Sequence, residues 1–127
     1  MSTRSRIAIE NQNGSVNSVY CHFDGYVKGV GKTLFNHYDQ EKLTKLIELG
    51  DISVLKESTL DTIAYCRDRG EDLHSIHYLK VEDLFENGFR SGEEYVYCLT
   101  KDGIWLMGRV DSPMVDYLAE ILEEEGA

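Results

Sequence analysis

Residues 94–110 read EYVYCLTKDGIWLMGRV. Two runs rich in aromatic and aliphatic residues, Glu94–Leu99 and Ile104–Val110, flank Thr100-Lys101-Asp102-Gly103. Such runs suit a pleated, half-buried surface, and Asp-Gly is a strong hairpin signal because both residues tolerate a positive φ. An antiparallel hairpin is predicted here. Working outward, Arg6–Glu10 places Ile7 and Ile9 on one face, Asn11–Gly14 supplies turn residues, and Val19, Cys21 and Phe23 alternate along a return run. This predicts another hairpin, earlier in the chain.

Helical spacing fills much of the remainder. Residues 31–39 (GKTLFNHYD) carry Leu34, Phe35 and Tyr38 on one side, and residues 40–49 (QEKLTKLIEL) carry Leu43, Leu46 and Ile47, with Gly50 placed to end the second helix. A short helix is expected at Val81–Asn87, closing on Gly88. A final helix is expected from Asp111 or Ser112 as cap, with Pro113 in its first turn and Met114, Tyr117, Leu118, Ile121 and Leu122 on one face. The stretch from Leu55 to Lys80 fits neither period over any length; a strand at Ile52–Leu55, a helix around Ser58–Tyr65 and a loop around Arg67–Glu71 are its expected parts. No β-helix-β alternation demands parallel strands. The expected fold is therefore α+β: an antiparallel sheet of about four strands in two hairpins, packed with three to four helices, as one domain over residues 1–127.

The 127 residues are 42% hydrophobic and 28% charged, so a core can form without disulfides or a structural metal. With 13 basic and 23 acidic residues the net charge is −10, which argues against direct nucleic-acid binding through phosphates and against anionic membranes. The acidity is uneven. Residues 1–50 hold six basic and five acidic groups, a net of +1, while residues 51–127 hold seven and eighteen, a net of −11. An anionic ligand therefore meets the least opposing field in the first 50 residues. Glu120, Glu123, Glu124 and Glu125 crowd the end of the expected last helix, either as a solvated tail or as a partner-facing surface.

Cys21, Cys66 and Cys98 are odd in number, far apart and set in apolar surroundings, the pattern of reduced core thiols, and no CxxC pair occurs. The start MSTRSRIAIENQNG has no apolar run of signal-peptide length and no window approaches a membrane span. A cytoplasmic protein with no membrane partner is expected.

Residues 24–33, DGYVKGVGKT, end as a phosphate-binding loop ends, but the place where that motif needs its first glycine holds Tyr26. A weaker expectation survives. A glycine-rich turn with Gly29 and Gly31 feeding a helix, with Lys28 and Lys32 beside it, offers amides and positive charge to a phosphate or carboxylate. Arg4 and Arg6 alternate ahead of the first strand and would face that turn, so that Arg4, Arg6, Lys28, Lys32 and Tyr26 form an anion site, completed by Arg67 or Arg69 from the AYCRDRGED loop. The competing readings are a plain tight turn, a solvated basic start and a self-paired charged loop. His22 and Asp24, two apart on a strand, share a face and form a candidate acid–base pair, with a strand-end hydrogen bond as the equal competing reading. His74 and His77 form HxxH without a third ligand, so neither a metal nor any other cofactor is expected.

The order of several blocks is similar to that of a group of small bacteriophage and prophage proteins of unknown function: TRS (Thr3–Ser5), YCHFDGY (Tyr20–Tyr26), GKTLFNHY (Gly31–Tyr38), LIELGDIS (Leu46–Ser53) and AYCRDRGE (Ala64–Glu71). The resemblance spans roughly the first 70 residues. It implies a phage-encoded accessory protein in the host bacterial cytoplasm and implies no activity. The leading expectation is a non-enzymatic binding protein or inhibitor in host takeover or counter-defence. It would block a host protein, or hold a small phosphorylated ligand at the glycine turn. The alternatives are a small hydrolase or nuclease using His22 and Asp24, and a moderately acidic nucleic-acid mimic. Self-association through an unpaired edge strand is a further expectation.

Overall fold

A computed structural model describes residues 2–126. The first hairpin forms as β1 (Ser5–Glu10) and β2 (Val16–Cys21), registered Ser5 with Cys21 through Glu10 with Val16. Its turn is closed by Asn11 N–H donating to Ser15 O at 2.7 Å and by Ser15 Oγ donating to Asn13 Oδ1 at 2.6 Å. Val27–Gly31 then wind in one wide π-helical turn that runs directly into α1 (Lys32–His37). Helix α2 (Gln40–Glu48) follows, capped by Asp39, whose carboxylate accepts from Lys42 N–H at 2.8 Å. Then come β3 (Ile52–Val54), β4 (Ile63–Ala64), α3 (Tyr65–Arg69), β5 (Ile76–Tyr78) and α4 (Val81–Asn87). The second hairpin is β6 (Tyr95–Leu99) and β7 (Trp105–Arg109), and the chain closes with β8 (Val115–Tyr117) and α5 (Leu118–Glu124).

The architecture is α+β, but the sheet is neither four-stranded nor purely antiparallel. Eight strands form one mixed sheet in the order β4-β3-β2-β1-β6-β7-β8, with β5 also pairing on β2. The two hairpins join through a parallel pairing of β1 with β6, Ser5 opposite Tyr95 through Ile9 opposite Leu99. A second parallel contact sets Cys21 of β2 beside Ile52 of β3, with α1 and α2 as the crossover between them. The rest of the outer edge of β2, Val16–Ser18, is taken by β5. Strands β3, β4, β5 and β8 are two or three residues long, too short for a period-2 pattern to register in sequence.

Both faces of the central strands are buried. Ile7, Ile9, Val19, Tyr97 and Leu99 pack with Leu34, Leu43 and Leu118 from α1, α2 and α5 on one face. Ala8, Val16, Val96 and Cys98 pack under Leu84 of α4 on the other, with Phe85 and Phe89 alongside. This covering of both faces is what a sheet containing parallel strands requires.

Two local expectations need correction. The last helix does not begin near Pro113: Val115-Asp116-Tyr117 is extended and pairs with β7, Val115 opposite Gly108 and Tyr117 opposite Leu106. A β-branched and an aromatic residue favour that state, and the pairing closes an edge of β7 that would otherwise present free amides and carbonyls. Between Ser58 and Tyr65 no helix forms. Ser58 Oγ instead accepts from Asp61 N–H at 3.2 Å in a side-chain turn, and the helix follows at Tyr65–Arg69, where a loop was expected.

Tyr97 is fully buried, and its hydroxyl donates to Gly25 O at 2.7 Å, tying β6 to the glycine-rich turn. Tyr97→Phe leaves that carbonyl without its donor and is expected to lower unfolding free energy by about 1–3 kcal/mol. Leu34→Ala, which opens a cavity between α1 and the sheet, should cost about 2–5 kcal/mol; urea denaturation reads both.

Candidate functional site

The alternation of β1 decides which candidate residues meet. Ile7 and Ile9 face α1, α2 and α5, whereas Arg6 shares the opposite, α4-side face with Ala8. The glycine-rich turn lies on the first side, since a Cβ at Gly25 would stand 2.8 Å from Ser5 Cβ. Arg6 therefore points away from Lys28, Lys32 and Tyr26, and the expected cluster of two arginines, two lysines and a tyrosine is not assembled.

Arg6 has other partners. It is 1% exposed, its Nε donates to Glu93 Oε2 at 2.7 Å, and its Nη1 donates to Ser18 Oγ at 3.1 Å. The Ser18 hydroxyl in turn donates to Ile76 O at 2.9 Å, and Glu93 Oε1 accepts from Ser91 N–H at 2.7 Å. Arg4 is exposed and lies across Gly92, where an added Cβ would meet its Nη1 at 2.8 Å.

The turn itself uses its amides internally. Gly25 N–H donates to Thr3 O, Gly29 N–H to Tyr26 O and Val30 N–H to Asp24 O, all at 2.8–2.9 Å. Gly29 and Gly31 answer a packing demand: a Cβ would stand 2.3 Å from Asp24 O at the first and 3.1 Å from the Tyr97 ring at the second. Lys28 and Lys32 are exposed, and Tyr26 is 44% exposed. What the turn offers an anion is two surface ammonium groups beside a phenol ring, without a cradle from these three amides.

His22 and Asp24 do not form an acid–base pair. Strand β2 ends at Cys21, and Asp24 takes a φ of +58°, which turns the chain before the two side chains can share a strand face. The ring nitrogens of His22 meet other groups, Nδ1 at 2.8 Å from Tyr20 Oη and Nε2 at 3.3 Å from Ser2 Oγ, and Phe23 packs edge-on at 4.6 Å. Burial raises the Tyr20 phenol above its usual range, with the Arg4 charge acting in the opposite sense.

Arg67 and Arg69 separate as well. Arg67 bridges Asp68 through Nε at 3.0 Å and Nη2 at 2.9 Å and donates to Thr59 and Thr62 carbonyls, so it serves its own loop. Asp68 is held below the usual carboxylate range by Arg67 and by the Ala64 N–H. Arg69 stacks over Tyr65 at 5.3 Å and reaches Ser53 Oγ at 3.5 Å, on the same face as Arg4 and Arg6. His74 Nδ1 sits 2.7 Å from Asp51 Oδ2 and His77 Nδ1 2.7 Å from Asn17 Oδ1. Among the described residues no three His, Cys, Asp or Glu side chains gather as a metal site.

No family model, curated protein or solved structure matches the chain.

Glu93, Ser18 and Tyr20 escaped the sequence reading. The available signal was Arg6 itself, a charge between Ser5 and Ile7 in a strand that then has to find a counterion. Arg6→Met leaves Glu93 buried without its cation and is expected to cost about 3–5 kcal/mol, while adding Glu93→Leu should restore much of the loss in a denaturation cycle. Burial pushes the Cys21 and Cys98 thiols up to about 12, whereas Cys66 is half-exposed on α3. A thiol reagent at about pH 8 should therefore label one cysteine in the folded protein and all three in denaturant.

Proposed function

We propose that this is a phage-type accessory protein that works in the bacterial cytoplasm by binding a host protein, and that the contact is made at β8. The observation that carries this reading is the state of that strand. It ends the sheet, pairs with β7 on one side, and leaves Met114, Val115 and Tyr117 at 63%, 44% and 53% exposure. Cross-strand register puts Val115 and Tyr117 on the α4 side, opposite Gly108 and Leu106 and next to the half-buried Phe85 and Phe89. An open strand edge beside exposed apolar side chains suits β-augmentation or hydrophobic docking by another chain. The acidic end of α5, with Glu120, Glu123 and Glu124, follows directly and favours a partner with a basic rim.

The block resemblance supports the phage assignment. The absence of a joined His22–Asp24 pair weakens the hydrolase reading, and the amides already used within the glycine turn weaken sequestration of a phosphorylated ligand there. Among the described residues no helix is long and apolar enough to cross a membrane.

The test replaces two exposed side chains. Val115→Lys with Tyr117→Lys should keep the fold at a cost of about 1–2 kcal/mol, from lost strand preference and half-buried contact, and abolish recovery of a host protein that the unmodified chain retains from a host lysate. Equal recovery by both chains overturns the contact. If light scattering shows a dimer that the double variant dissolves, a second copy occupies the edge and the host-partner reading falls.

A further inference from the structure

A cavity of about 200 Å³ lies on the α4 side of the sheet, with Arg6, Tyr78, Asn87, Arg90, Ser91 and Glu93 in its wall. It is separate from the β8 surface and from the glycine turn, and its composition is unusual for so small a space. Two arginines and one carboxylate face it, a net charge of +1 in a protein whose net charge is −10.

The buried half of this arrangement is built. A guanidinium carries five N–H donors in a fixed plane. Arg6 uses its Nε on Glu93 and one Nη1 hydrogen on Ser18, and among the described residues no acceptor meets Nη2. Glu93 cannot rotate to take more, because its second oxygen is fixed by the Ser91 amide. The result is a nearly fully buried cation on the wall of a cavity, with hydrogen-bond capacity beyond Glu93 and Ser18 that an acceptor in the cavity can meet. Arg90, exposed in the turn that follows α4, supplies a second charge from the solvent side, and Tyr78, half-buried, lies within the fields of Arg6, Glu93 and Arg90.

Size and charge narrow the occupant. At about 30 Å³ per atom of water-like size, the space holds roughly six non-hydrogen atoms. A phosphomonoester dianion would face Glu93 with two charges against a local surplus of one. A monocarboxylate matches that surplus, and its flat oxygen pair suits the flat edge of a guanidinium. Ile76 and the Tyr78 ring give its short carbon body an apolar side.

We propose that this cavity binds the carboxylate of a small organic acid, gripped by Arg6 from within and Arg90 from the mouth, with Asn87 and Ser91 beside it. Arg6 stays untouched in the test because the fold depends on it, and Arg90, being exposed, is the residue to change.

The experiment titrates the full-length ¹⁵N-labelled chain with propionate, with sodium chloride at equal ionic strength as control and inorganic phosphate as a second ligand. Propionate should shift the amides of Asn87, Ser91 and Gly92 in a saturable way that chloride does not reproduce. Arg90→Glu should weaken it at least about tenfold while the remaining spectrum stays in place. Three results each overturn the proposal: shifts identical to those of chloride, phosphate binding tighter than propionate, or an Arg90→Glu affinity within about twofold of the original.

Discussion

A guanidinium and a carboxylate held 2.7 Å apart, both about 1% exposed, fix how the two hairpins meet. Arg6 stands in β1 opposite Val96 of β6, and Glu93 stands just before that strand, so the ion pair pins the parallel register in which Ser5 lies beside Tyr95. Sliding β1 by one residue would turn Arg6 into the apolar core under α1, α2 and α5, and Ile7 toward Glu93. Neither group is tolerable in the other's place. A buried pair of this kind need not add stability over a well-packed apolar pair, but it penalises wrong registers heavily. The Ser18, Ser91 and Ile76 contacts extend the same constraint to β2, the loop before β6, and β5.

That constraint also explains what the sequence could and could not disclose. Both hairpins were legible because each joins neighbours in the chain and is marked by its own turn chemistry, Asn11–Gly14 and Asp102-Gly103. Helices α1, α2 and α4 were legible because helically spaced apolar residues lie between a start and a stop signal. The parallel pairings left no local trace. A strand of three residues such as Ile52–Val54 has no period to measure, and the partner of β1 is chosen by a residue 87 positions away. Met114 and Tyr117 fit a helical face by spacing, yet the unpaired edge of β7 draws residues 115–117 into the sheet; such tertiary overrides are invisible to pattern reading.

For the candidate site the fold groups the residues differently from the expected cluster. Arg4, Arg6 and Arg69 gather on one side of the sheet with Tyr20, His22 and Tyr65, while Tyr26, Lys28 and Lys32 stay on the other. The even-numbered positions of β1 did share a face, as alternation requires, but the face was the one away from the turn. The division of charge into a neutral first 50 residues and an acidic remainder likewise does not become two separate regions in space. β1 lies between β2 and β6, so an arginine from the first stretch neutralises a glutamate from the second inside the protein.

The position of β1 carries a cost in time. It is made before the other strands of the sheet, lies near its middle, and receives its second neighbour only after the 87 positions that separate Arg6 from Glu93. At ribosomal speeds of about 5–20 residues per second, the nascent chain carries a half-paired apolar strand and an uncompensated arginine for on the order of ten seconds. The unsatisfied charge that later fixes the register keeps that strand hydrated in the interval, and so acts as a gatekeeper against premature pairing with other chains.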